Sequence, residues 1–263
     1  PERLVSYHLH LAKGARDRRG EEMTVSMAIL NALAAASGLS AQVELALGAD
    51  ERLERVETNF LDLATQLEQG ERNWFGLSAD GSVLLPGETP AALVAGSFNP
   101  LHEGHLGLAR IAADLLGQPV AFELAAVNVD KPPLPPATVL ERVAQFAGAH
   151  TVCVSNAPTY VQKARLFPGA IFVVGYDTAV RIVEPRYYAN SRSQMVAALD
   201  EIGQRGSRFL VAGRTDSEGH FHGLADIEIP GGYRDLFRAI PPELFRSDIS
   251  STRLRATGAR GSR

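Results

Sequence analysis

Two histidines beside a glycine-containing turn are the residues of this sequence best suited to do chemistry. His102 and His105 lie on either side of Gly104, a few positions after Gly96. The apolar run before Gly96 is typical of a buried strand, and the apolar spacing after Gly104 predicts a helix that begins near that residue. Unpaired N–H groups at a helix start favour anions, and glycine lets a ligand approach the backbone closely. The pattern predicts a phosphate-binding loop that carries two imidazoles.

A second anion-binding pattern occurs near the end of the sequence. Ser250, Ser251 and Thr252 are typical helix-capping residues, and Arg255 follows them about one turn later. Hydroxyl groups, helix N–H groups and a guanidinium at one helix end would together hold a phosphate. Taken alone, the pattern also fits a well-capped terminal helix with surface arginines.

Other candidate residues follow predicted strands. Gly175 and Asp177 come directly after one apolar run, and Arg214 comes after another. Asp177 could accept hydrogen bonds from ribose hydroxyls, or it could cap the following helix. Arg214 is a candidate phosphate contact.

Two pairs of residues are left with open alternatives. Lys131 and Arg142 lie after the second strand and on the next helix, and either could neutralise a phosphate. Tyr187 and Tyr188 could stack on a base, although tyrosines in such positions also serve as partly buried packing.

The elements that must position these residues alternate from residue 91 onward. Near-continuous apolar runs, typical of strands buried on both faces, alternate with helical patterns. Strands are predicted at 91–96, 119–126, 151–155, 169–175 and 208–212, and helices at 104–116, 137–148, 191–204 and from about 250. This order predicts an α/β fold with a doubly wound parallel sheet, which binds ligands beyond the carboxyl ends of its strands.

The pattern of residues 1–86 predicts a small α+β region. A strand is expected at 4–11, a helix from Glu21 to Gly38, a second helix from about Asp50 to Gly70, and a hairpin at Asp80 and Gly81. The Pro- and Gly-containing stretch at 86–90 separates this region from the rest. Two domains are therefore expected, residues 1–86 and residues 87–263.

The loop resembles the first signature of the nucleotidylyltransferase superfamily, Gly-Ser-Phe-Asn-Pro followed by H-x-G-H. The segment from Ile249 to Arg255 is similar to the second signature, I-S-S-T-x-x-R. The resemblance implies a Rossmann-like nucleotidyltransferase fold and binding of ATP with Mg²⁺, without a metal site on the protein itself. It implies catalytic roles for His102, His105 and Arg255, triphosphate binding by Gly96, Ser97, Phe98, Asn99, Gly104, Ser250, Ser251 and Thr252, and acceptor or sugar contacts by Lys131, Gly175, Asp177, Tyr188 and Arg214.

Within that superfamily, the residues of both signatures are most similar to those of nicotinamide or nicotinate mononucleotide adenylyltransferases. The resemblance implies transfer of AMP from ATP to the phosphate of such an acceptor, with release of pyrophosphate. Three alternatives stay open: cytidylyl transfer, adenylyl transfer to another phosphorylated small molecule, and a nucleotide-binding regulator without activity.

A second, shorter resemblance lies near the start of the chain. Residues 9–39, with Leu-Ala-Lys-Gly-Ala-Arg at 11–16, are similar to part of the C-terminal domain of competence-damage-inducible protein A. The resemblance covers only a part of such a domain, so residues 1–86 are interpreted as a docking or dimerising appendage. A homo-oligomer is therefore a possible assembly.

Composition narrows the choice of partners. The net charge of −4 and the pI near 6.0 argue against a general nucleic-acid-binding protein. Cys153 is the single cysteine, which fits a reducing cytosol, and the sequence contains no apolar run of ~18 residues. We therefore expect a cytoplasmic protein whose partners are ATP and a phosphorylated small molecule, without nucleic acid or membrane.

Overall fold

The computed structural model describes residues 3–85, 87–127, 132–216 and 218–245. The chain divides into two compact units, Pro1–Phe60 and Leu61–Arg263. This division falls earlier than the expected boundary between residues 86 and 87. The reason is that Trp74–Leu77 pairs with a strand of the second unit, and a pairing between distant segments leaves no mark in local composition.

In the first unit, two antiparallel strands flank a helix in sequence. β1 (Arg3–His10) pairs along its whole length with β2 (Arg52–Asn59), and α1 (Arg18–Ala36) lies between them. The side chain of Asp17 caps α1 by accepting a hydrogen bond of 2.7 Å from the N–H of Gly20. The predicted first strand and first helix are thus confirmed.

The helix predicted from about Asp50 is wrong over its first turns. Residues 52–59 form β2, and α2 (Phe60–Glu68) begins only where that strand ends. Leu53 and Val56 fit a helical stripe, but the backbone N–H and C=O groups around them bond to β1, about fifty residues away. Tertiary pairing therefore overrides the local pattern.

The second unit is built on a seven-stranded sheet in the order β11-β8-β7-β4-β5-β6-β3. Every neighbouring pair is parallel except β3 and β6, and β9 and β10 form a separate small hairpin. The strands are β3 (Trp74–Leu77), β4 (Ala92–Gly96), β5 (Ala121–Ala125), β6 (Val152–Ser155), β7 (Ile171–Gly175), β8 (Arg208–Ala212), β9 (Arg214–Thr215), β10 (Phe221–His222) and β11 (Phe237–Ala239).

Helices connect these strands on both faces of the sheet. They are α3 (Glu103–Leu116), α4 (Pro136–Val143), α5 (Tyr160–Leu166), α6 (Tyr176–Ile182) and α7 (Arg192–Gln204). From β4 the chain moves outward through β5 and β6, and from β7 it moves outward in the opposite direction. Because such crossovers are right-handed, the two halves place their helices on opposite faces. The predicted doubly wound sheet is confirmed, whereas α5 and α6, of seven residues each, are too short to show a helical period.

Continuous apolar strands form the core, as expected for strands buried on both faces. Leu93, Phe172 and Phe209 of the sheet belong to one buried cluster with Leu199 and Ile202 of α7. None of the helices in the described ranges is long and apolar enough to cross a membrane.

The turn predicted at Asp80 and Gly81 is confirmed. Leu77 and Val83 form an antiparallel bridge, and the N–H of Leu84 donates to the carbonyl of Gly76 at 2.8 Å. Only the first arm of this hairpin, β3, continues into the seven-stranded sheet.

Candidate active site

The loop with the two histidines lies where the chain reverses direction across the sheet. β4 ends at Gly96 and has β5 on one side and β7 on the other, so residues 97–102 emerge between the two halves of the sheet. α3 begins at Glu103, and His102 occupies its N-cap position with an extended backbone. The predicted strand, loop and helix are confirmed. In open α/β sheets this switch point is the usual place for a ligand.

The imidazoles of His102 and His105 stack on each other at the start of α3. Their ring centroids are 3.7 Å apart, with an angle of 23° between the planes. Burial lowers the pKa of His102, and burial together with His102 lowers the pKa of His105 to about 3. Both rings are therefore neutral at neutral pH, so each can donate one N–H without bringing a permanent charge into the site.

The ring of Phe98 supports this pair through its contact with His105. This ring is buried, lies 5.0 Å from the ring of His105 between centroids, and packs edge-on against Phe122 and Phe146. A Cβ atom on Gly96 would stand 2.9 Å from this ring, which is why the strand ends in glycine. Phe98, expected to bind phosphate, directs its side chain into the core, and the residue as a whole is buried.

Gln145 braces the same loop from the 3₁₀ turn after α4. Its amide NH₂ donates to the carbonyl of Phe98 at 3.0 Å, and its carbonyl oxygen accepts from the N–H of Leu101 at 2.8 Å. Arg142, a candidate to neutralise a phosphate, donates to the carbonyl of Ser97 in this loop at 3.0 Å. Sequence reasoning missed Gln145, because a glutamine on a helix surface carries no signal of a distant loop.

The residues predicted after β7 and β8 come together. Asp177, in the first turn of α6, forms an ion pair with Arg214 of β9, and both side chains are substantially exposed. Gly175 is exposed directly before them. The structure thus joins two residues that were predicted separately, as a ribose contact and a phosphate contact.

A cavity of about 490 Å³ opens beside the loop. It extends from Gly96 and Ser97 at the end of β4 towards α5, α6 and the 3₁₀ turn Pro185–Tyr188. Its size is within the usual range for a small-molecule site. Sequence reasoning missed the part of the wall contributed by β5 and α5, because Glu123 lies inside an apolar strand and α5 was not predicted. The missed wall residues are Glu123, Thr159, Tyr160 and Lys163.

Both candidate tyrosines line this cavity in different ways. The ring of Tyr187 has the guanidinium of Arg186 at 4.8 Å and that of Arg181 at 5.7 Å from its centroid. Tyr188 donates its hydroxyl to the carbonyl of Ile182 at 2.8 Å, and burial raises its pKa to about 12. The aromatic face of Tyr187 therefore makes cation–π contacts with two arginines, whereas the hydroxyl of Tyr188 is fixed by a hydrogen bond to the backbone.

Some predicted site residues lie outside the described residues. They are Lys131, Ser250, Ser251, Thr252 and Arg255.

The chain matches a family model described as cytidylyltransferase-like over residues 93–257, which is more than half of its length. It belongs to this family. The matched range includes the loop at 96–105 and the segment at 249–255, so the predicted membership in the nucleotidyltransferase superfamily is confirmed. Residues 9–39 lie before the matched range, and the resemblance noted for them stays a prediction.

A curated relative comes from Schizosaccharomyces pombe (strain 972 / ATCC 24843) and is named "Putative nicotinamide mononucleotide adenylyltransferase". It is 28% identical over 123 residues, which cover 41% of this chain and 48% of the relative. The chain thus spans about half the length of the curated relative that it matches.

The bracing by Gln145 predicts a defect in nucleotide binding. In Gln145→Ala both hydrogen bonds to the loop are lost, so we expect the affinity for MgATP, measured by calorimetry, to fall about tenfold. Glu141→Ala, an exposed change on the preceding helix, is the control and is expected to bind normally. Unchanged affinity in a folded Gln145→Ala protein would contradict the bracing role.

The buried neutral state of His105 predicts a pH-dependent stability. Its pKa is about 3 in the folded chain against an ordinary 6.5, so the unfolded chain binds the extra proton first as pH falls. Between pH 7 and pH 5 this linkage removes about 2 kcal/mol of unfolding free energy. In denaturant titrations, we expect the unfolding free energy of His105→Gln to fall by about 2 kcal/mol less than that of the wild type between pH 7 and pH 5. Parallel losses in the two proteins would show that His105 is not held neutral by the fold.

Proposed function

We propose that this protein is an adenylyltransferase that transfers AMP from ATP to the phosphate of nicotinamide or nicotinate mononucleotide. The observation that carries the proposal is the stacked pair His102 and His105 at the start of α3, at the switch point of the sheet. The same loop begins with Gly96 and Ser97, which line a cavity of suitable size. Family membership supports nucleotidyl transfer, and the name of the fission-yeast relative supports the acceptor.

In the proposed reaction, an oxygen of the acceptor phosphate attacks the α-phosphorus of ATP. A new O–P bond forms as the bond from the α-phosphorus to the bridging oxygen breaks, and pyrophosphate leaves with that electron pair. The acceptor phosphate is already ionised, so no general base is needed. Catalysis then depends on alignment of the two reactants and on stabilisation of charge around the α-phosphorus.

His105 and His102 supply that stabilisation in this proposal. Neutral imidazoles at a helix N-terminus donate hydrogen bonds to phosphate oxygens, and the positive end of α3 points at the same place. The Nδ1 atom of His105 is buried and has no hydrogen-bond partner among the described residues. No hydrogen bond among the described residues therefore fixes this nitrogen, and the ring is oriented by its packing against Phe98 and His102.

The remaining parts come from residues predicted from the sequence. Ser250, Ser251, Thr252 and Arg255 would hold the β- and γ-phosphates that leave as pyrophosphate. Mg²⁺ would enter with ATP as its magnesium complex and would neutralise part of the triphosphate charge. Asp177 and Arg214 would exchange their mutual ion pair for contacts with the ribose and a phosphate of the bound nucleotide.

Cytidylyl transfer is the second candidate, because the matching family is described as cytidylyltransferase-like. The two candidates are separated by assaying pyrophosphate release with ATP or CTP against a panel of phosphorylated acceptors that includes both pyridine mononucleotides. Release with ATP and a pyridine mononucleotide is the expected result. Release with CTP alone, or with no mononucleotide, would overturn the proposal.

His105→Ala provides the test of the site itself. We expect the rate of pyrophosphate release to fall by about 10² to 10³, because one preorganised donor to the developing charge is removed. His8→Ala, which changes an exposed histidine of β1 in the first unit, is the matched control and is expected to keep the wild-type rate. Turnover near the wild-type rate in His105→Ala would remove His105 from the reaction.

A further inference from the structure

A buried ion pair lies in the wall of the cavity. Glu123 of β5 and Lys163 of α5 both line it, and their side chains are 0% and 4% exposed. The Nζ atom of Lys163 is 2.7 Å from each of the two carboxylate oxygens of Glu123. The hydroxyl of Ser155 donates to Oε1 of the same carboxylate.

This pair has no evident role in building the sheet. The neighbours of Glu123 along β5 are apolar, and an apolar pair of similar size at such a position is often equally or more stabilising than two buried charges. A few polar or charged groups in the wall of a cavity are what orients and selects a small-molecule ligand. We therefore expect the pair to act on a ligand in the cavity.

The hydrogen bonds of Lys163 indicate what that role is. Its ammonium has three N–H groups, and Glu123 accepts two hydrogen bonds from it. The third has no hydrogen-bond acceptor among the described residues. Tyr160, whose ring centroid is 6.0 Å from Nζ, packs on Phe172 and Phe209 and limits where the ammonium can move. The cavity is thus offered one fixed N–H donor from a pair whose net charge is zero.

A donor of this kind discriminates between neutral and anionic groups. A carboxamide oxygen can accept the N–H without losing much hydration. A carboxylate at the same place would be attracted by Lys163, repelled by Glu123 and deprived of water, so its attraction to the pair would be smaller than the cost of desolvation. Arg181, the other cation among the described residues of the cavity wall, lies over the ring of Tyr187. A neutral acceptor group is favoured as long as Glu123 balances Lys163.

We propose that Glu123 and Lys163 make the cavity selective for an acceptor whose ring carries a neutral carboxamide over one whose ring carries a carboxylate. This inference rests on the proposed function and names which of the two pyridine mononucleotides is the substrate. Lys163 is the contacting residue, and Glu123 is the positioning residue that sets the charge.

The test compares kcat/KM for nicotinamide mononucleotide and nicotinate mononucleotide, with MgATP and pyrophosphate release as the readout. We expect the wild type to prefer the nicotinamide form by about tenfold or more. In Glu123→Gln the lysine charge is unbalanced, so we expect the ratio to move by about tenfold or more towards the nicotinate form. Ser155→Ala touches the same carboxylate without changing charge and is expected to keep the wild-type preference.

Removing one partner of a buried pair can prevent folding, so a second variant is included. Glu123→Gln combined with Lys163→Met removes both charges and the donor. If this protein melts cooperatively, we expect its KM for nicotinamide mononucleotide to rise about tenfold with its KM for ATP unchanged, because only acceptor binding is lost. A purely structural role would leave the acceptor KM unchanged.

The outcomes separate the two proposals. Absence of turnover with either mononucleotide in the wild type would overturn the proposed function and this inference with it. Turnover of both mononucleotides with no preference, or with a preference for nicotinate, would overturn the inference and leave the proposed function standing. An unchanged ratio in folded Glu123→Gln, or an unchanged acceptor KM in the folded double variant, would also overturn it.

Discussion

The burial of the Phe98 ring is the contact on which the geometry of the candidate site depends. The ring is buried, packs against Phe122 and Phe146, and also contacts the ring of His105. Because the core is close-packed, a loop residue anchored in this way cannot shift without disturbing the sheet. The N–H groups at the start of α3 and the two imidazoles are therefore presented to a ligand in one arrangement.

Two ion pairs of the second unit differ in what they can contribute. Asp177 and Arg214 are exposed, so their attraction is screened by water and can be exchanged for contacts with a ligand at little cost. Glu123 and Lys163 are buried, so neither charge can leave its partner without a large desolvation cost. The first pair can open at little cost. The second pair is suited to selecting what enters the cavity, because its charge balance is permanent.

Most of the sheet and the loop could be predicted because their patterns are local. The apolar runs of β4, β7 and β8 and the strand, loop and helix around His102 and His105 were each visible within about fifteen residues. Two failures in the first ninety residues have one cause. Residues 52–59 follow a helical stripe but pair with β1. Trp74–Leu77 pairs with β6, which lies more than seventy residues further along the chain. Such pairings are decided by the partner and not by the segment.

The sequence by itself determined the fold class, the family and the strand, loop and helix that carry His102 and His105, because short motifs and apolar periods carry that information directly. Only the tertiary structure decided that Phe98 is an anchor and that Gln145 braces the loop. It also placed Glu123 and Lys163 together in the cavity wall. These contacts join residues about forty positions apart, so each side chain is unremarkable in its own segment. Its role follows only from what the crossovers of the sheet bring next to it.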